Sequence, residues 1–82
     1  MFGIFKKKEK MPQPPQLLDI DGDLIMEGDE VISQRYELGN CKVILKGLEF
    51  FYESHETKKQ VSYVRMIDAI TGFQKVKKNY TN

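Results

Sequence analysis

The chain has 82 residues, of which 40% are hydrophobic, and 13 Lys and Arg stand against 12 Asp and Glu for a net charge of +1. That length bounds it to one small domain burying only roughly 60% of its unfolded surface, which disfavours a deep enclosed active site, and the near-zero charge excludes a global pull toward nucleic acid or membrane. A lone cysteine, Cys41, rules out an intramolecular disulfide and fits a reducing, cytoplasmic setting, while no run of about 18 apolar residues exists to span a bilayer.

Charge is unevenly placed along the chain. Residues 1–16 hold four Lys and one Glu, net +3; residues 17–40 hold seven acids and one Arg, net −6; residues 41–82 hold eight bases and four acids, net +4. Attraction between these segments inside one fold explains the pattern more simply than three separate binding surfaces.

Residues 1–16 read as a flexible, disordered basic tail. Phe2, Ile4 and Phe5 precede Lys6, Lys7 and Lys8, the reverse of a secretory signal's order, so no signal peptide is expected. A weak membrane contact through residues 1–8 is a minor reading, because so few apolar residues make a poor amphipathic anchor. Pro12, Pro14 and Pro15 remove backbone donors and fix φ, so an extended linker follows.

The folded part is expected over residues 17–78, with residues 79–82 frayed. Leu17 and Leu18 face Leu24, Ile25 and Met26 across Asp21 and Gly22, a hairpin signal because Gly accepts positive φ. Glu27, Gly28 and Asp29 form a second turn. Residues 30–36 alternate as a strand, with Ile32 and Tyr36 on the inward face. A turn at Leu38, Gly39 and Asn40 leads to a strand whose Cys41, Val43 and Leu45 share a face opposite Lys42, Ile44 and Lys46. After Gly47, the set Leu48, Phe50 and Tyr52 faces inward and Glu49, Phe51 and Glu53 outward. Residues 54–59 form a polar loop.

Residues 60–72 are ambiguous. Val, Tyr, Thr and Ile favour a strand ending near Ile67, with a turn at residues 68–72 and a last strand over residues 73–78. Thr57 and Gln60 have capping-box spacing, and Tyr63, Val64, Ile67 and Ile70 fall on one helical face, so a helix near residues 58–71 is the alternative. The strand reading is preferred because helix formers are few.

Candidate chemistry is sparse. Asp19, Asp21, Asp23 and Glu30 match positions 1, 3, 5 and 12 of a calcium loop, with Glu27 at position 9, but Leu24 stands where the loop's Gly is required and no flanking helices are expected. A hairpin turn with solvated acids is the preferred account, and no metal site is expected. Cys41 and His55 are the only residues of their types, far short of a zinc site. Cys41 lies among apolar strand neighbours and His55 in a polar loop, so no catalytic residue, no cofactor site and no enzyme are expected.

The preferred function is a non-catalytic binding module for an unidentified protein partner, with Phe51 and Ile44 as contact residues on the outward sheet face. Phe51 stands between Glu49 and Glu53, the wrong sign for a phosphate chain. The alternative is RNA or single-stranded DNA binding: if the two last strands pair, Tyr63 and Arg65 would stand beside Phe73, Lys75 and Lys77, giving stacking surfaces among cations.

The alternation of short strands and tight turns from Gly28 to Lys78, with Val64, Arg65, Met66, Ile67 and Asp68 followed by Gln74, Lys75 and Val76, resembles the small five-stranded barrels of the Tudor type. Where Tudor domains often carry an aromatic, a glycine and an asparagine after the aspartate, this chain has Ala69, Ile70 and Thr71. The resemblance implies a fold, and an aromatic cage for methylated side chains is not carried over to this chain. The expected architecture is therefore a mostly β domain, either a small antiparallel meander or a five-stranded barrel, with an α+β arrangement as the alternative.

Overall fold

The computed structural model of the chain describes residues 13–79; the basic tail tip, the membrane reading for residues 1–8 and most of the expected C-terminal fraying lie outside them. The fold is mostly β. Among the described residues seven strands run in chain order: β1 (Leu17–Leu18), β2 (Leu24–Ile25), β3 (Glu30–Ser33), β4 (Gly39–Lys46), β5 (Glu49–Ser54), β6 (Gln60–Ser62) and β7 (Lys77–Lys78). β1 and β2 form a two-stranded antiparallel sheet, and the rest form a five-stranded antiparallel sheet in the order β6-β5-β4-β3-β7.

The centre is the β4–β5 hairpin, six residue pairs from Cys41↔Ser54 to Lys46↔Glu49. Its two-residue connection places Gly47 first, at φ +64°, while Leu48 stays at negative φ. That is the requirement of a II′ turn, whose twist matches the flanking strands. Alternation then fixes the faces: Cys41, Val43, Phe50 and Tyr52 are buried, and Leu45 packs against them. Leu48 is not part of the inward set: it sits at the turn tip and is 48% exposed.

β3 corrects a second expectation. Because Val31 pairs with Cys41, it takes the same inward parity, and with Ser33 it is buried. Ile32 is therefore outward, and Tyr36, also exposed, is not on the strand. A one-residue error in parity exchanges the two faces of a strand. The strand stops at Ser33, and a short 3-10 turn, Arg35–Glu37, follows, with Tyr36 and Glu37 at φ +55° and +56°. The turn expected at Leu38, Gly39 and Asn40 thus comes three residues earlier, and Leu38 is core.

The ambiguous stretch is neither a long strand nor a helix. β6 ends at Ser62, and a 3-10 turn, Tyr63–Met66, begins there, with the Ser62 hydroxyl accepting from Val64 N. Met66 enters the core and Ile67 makes an isolated antiparallel bridge with Gln74. The last strand shrinks to β7, and it pairs with β3 rather than β6. Among the described residues the edge strands β6 and β7 do not pair, and that bridge joins only the segments beyond them, so the five strands stay an open sheet and do not close into a barrel.

The N-terminal hairpin completes the core by adding Leu17 and Ile25. It is sewn to the last segment: Gln74 N donates to Leu18 O, Ile20 N to Val76 O, and Lys78 Nζ to Leu24 O. The acidic-to-basic attraction expected from the charge pattern takes concrete form in Lys77–Asp21 (2.5 Å) and Lys78–Asp29 (3.3 Å). Two buried polar groups anchor the same seam. Tyr52 donates its hydroxyl to Gln74 Oε1 at 2.7 Å, both fully buried, and Asp19 accepts from the backbone N–H of Asp21, Asp23 and Lys78.

Candidate functional site

Two surfaces emerge. The first is the outward face of β4 and β5. Ile44 and Phe51 are a direct cross-strand pair, both half-buried, flanked by the pairs Lys42↔Glu53 and Lys46↔Glu49. Directly opposite residues on one sheet face touch through their side chains. Lys46 folds over this pair, its Nζ 5.1 Å from the Phe51 ring centroid and 2.6 Å from Gln60 Oε1. Ser62, which faces Phe51 from β6, donates its hydroxyl to Glu49 Oε2. The result is an apolar centre flanked by two lysines and two glutamates in equal number.

The second is a groove of about 370 Å³ where β3 and β7 lie side by side. Ile20, Ile32 and Val76 line it, with Arg35, Lys75 and Lys77 around them. The register Ile32↔Lys77 sets the floor, and Ser33 braces it by donating to Lys75 O while accepting from Arg35 N, both at 3.1 Å. Of the cations, Lys77 is bound to Asp21, which raises its pKa. Arg35 and Lys75 have no ion-pair partner within 4 Å among the described residues.

The five residues expected to form a nucleic-acid face are distributed over different elements. Tyr63 and Arg65 stand on the second 3-10 turn, Tyr63 half-buried against the core and Arg65 exposed. Phe73 is half-buried beside the Gly22 backbone, and Lys75 donates its N–H to Met66 O. Only Lys75 and Lys77 come together, in the groove. No pair of strands sets Tyr63 and Arg65 beside them.

Of the calcium-loop carboxylates, Asp19, Asp21 and Asp23 bring oxygens within 4.8 Å of one another. Burial by itself would raise the Asp19 pKa, yet the N–H groups of Lys78, Asp23 and Asp21 and the charge of Lys77 hold it below the ordinary value. Glu30 does not join them; its Oε1 lies 2.5 Å from His55 Nε2. The arrangement is that of a turn organised by one buried carboxylate.

Cys41 is fully buried, and burial, reinforced by the charge of Glu30, pushes its thiol up to about 11. A thiol so placed stays protonated at neutral pH, the opposite of an activated nucleophile. Burial likewise pushes the Tyr52 phenol up, so it remains a donor to Gln74. Among the described residues no helix is long and apolar enough to cross a membrane.

The groove departs from the sequence expectation at two residues. Ile32, expected inward, faces outward, and Arg35, expected on the strand, stands on the first 3-10 turn. The pairing of Val31 with Cys41, whose parity is plain from the run Cys41, Val43, Leu45, is the signal that turns Ile32 outward. Compared with known proteins, the chain matches no family model, no curated protein and no solved structure.

Proposed function

We propose that this chain is a non-catalytic binding module whose partner is a protein, acting in a reducing cytoplasm. The observation that carries this reading is the Ile44–Phe51 pair, an apolar centre on an outward sheet face among opposite charges in equal number. Such a patch suits a protein surface with its own apolar centre and polar rim. It does not suit a phosphate chain, which calls for a positive field. The setting is supported by Cys41, a lone buried thiol with no disulfide to form.

The test is affinity capture from the native cell with the wild-type chain and an Ile44→Glu/Phe51→Glu variant, after nuclease treatment. A protein retained by the first and lost by the second, with unchanged circular dichroism, supports the reading. A nuclease-sensitive partner, or one held equally by both chains, refutes it.

A further inference from the structure

We propose that the groove between β3 and β7 binds a short extended acidic segment of a partner protein, with an aliphatic side chain on the floor and carboxylates at Arg35 and Lys75. The inference rests on the reading that the partner is a protein, but it concerns a different surface from Ile44 and Phe51.

The floor is apolar and open. Ile20 is 54% exposed and Ile32 38% exposed, although both are aliphatic residues that favour burial, and they converge over buried Val76. A cleft of 370 Å³ falls in the range of sites that hold a compact ligand, here one branched side chain and the backbone on either side. No carboxylate lines it.

Its rim is positive: Arg35 lies over the Tyr36 ring at 5.4 Å, yet neither it nor Lys75 has an ion-pair partner within 4 Å among the described residues. Lys77 is engaged by Asp21, which leaves Arg35 and Lys75. Asp68 is near enough for both charges to act on it, but its Oδ1 already accepts from Ile70 N and Thr71 N. Charge complementarity therefore calls for incoming carboxylates, two of them, on either side of an aliphatic group. Nucleic acid fits less well, because the floor offers aliphatic groups and no aromatic ring on which a base could stack.

The experiment is a fluorescence-anisotropy titration of the full chain at low salt. The probe is a labelled Glu-Asp-Leu-Asp-Glu peptide. Its controls are Gln-Asn-Leu-Asn-Gln, Glu-Asp-Ser-Asp-Glu and a short mixed-sequence oligonucleotide. The acidic leucine peptide should bind about tenfold or more tightly than either peptide control, and shift the backbone amides of Ile32, Ser33, Val76 and Lys77. Arg35→Glu/Lys75→Glu should weaken it by a similar factor, and so should Ile32→Ser, which keeps every charge; thermal melts show that each variant is folded. Equal binding of the peptides, tighter binding of the oligonucleotide, or amide shifts away from the groove overturns the proposal. A silent groove beside intact capture through Ile44 and Phe51 overturns the groove alone; a working groove with failed capture overturns only the Ile44–Phe51 reading.

Discussion

Asp19 concentrates more structural consequence than any other single side chain in the acidic segment. Its carboxylate accepts three backbone N–H groups, two from its own turn and one from Lys78 at the far end of the described chain. Hydrogen bonds to a charged group are worth about 1.5–3 kcal/mol each when buried. Because the folded pKa is depressed below 3.8, the stabilisation is complete above the unfolded value and is lost as pH falls through the folded one. Asp19→Asn keeps one acceptor but turns an amide NH₂ toward one of the donors. It should cost about 1–3 kcal/mol at neutral pH, and the variant should lose less further stability on acidification than the wild type does. Urea denaturation at neutral pH and below the carboxylate range measures both. An acid limb as steep in the variant as in the wild type would show that other carboxylates carry the effect.

Among the elements, the Arg35–Glu37 turn is the one that bends the chain at a cost. Tyr36 and Glu37 occupy left-handed backbone at φ +55° and +56°, which a residue with a Cβ adopts at roughly 1–2 kcal/mol. Glu37 has an exposed side chain, so Glu37→Gly should stabilise the fold by about 1 kcal/mol, less the extra freedom glycine gives the unfolded chain. A thermal melt lowered by this change would mean that the Glu37 side chain makes a stabilising contact. The same element marks the limit of what residue patterns convey. The β1–β2 hairpin, the β4–β5 pair and the buried faces around Cys41, Val43, Phe50 and Tyr52 are legible because turn glycines and alternation act over a few residues. The 3-10 turns at Arg35–Glu37 and Tyr63–Met66 are not. Their residues carry strand propensity, and what breaks the strands is the need to bring Met66 and Leu38 into one core and to return the chain to β3. The groove was illegible for the same reason: Ile20, Ile32 and Val76 meet only after β7 has chosen β3 over β6. Ile44 and Phe51, by contrast, are readable as an outward pair because one tight hairpin fixes both.

At the scale of the whole molecule, stability should be graded outward from the central hairpin. β4 is the strand shared by the two longest ladders, and its Cys41 and Val43, with Tyr52 of β5, have no exposed surface. β7 is two residues long, and residues 67–73, ahead of the buried Gln74 anchor, are held by one bridge and a few loop hydrogen bonds. Native-state hydrogen exchange should find the slowest amides in β4 and β5 and faster ones in residues 67–73; protection of that loop equal to the hairpin's would mean that the molecule opens only as a unit. The seam between first and last segments also bears on synthesis. The β4–β5 ladder that carries Ile44 and Phe51 draws on no residue beyond Ser54 for its register. Val31 must wait for Lys78, and Ile20 for Val76, before the β3–β7 groove exists. A chain that stops before Val76 therefore keeps every residue of the sheet patch but lacks the β7 side of the groove.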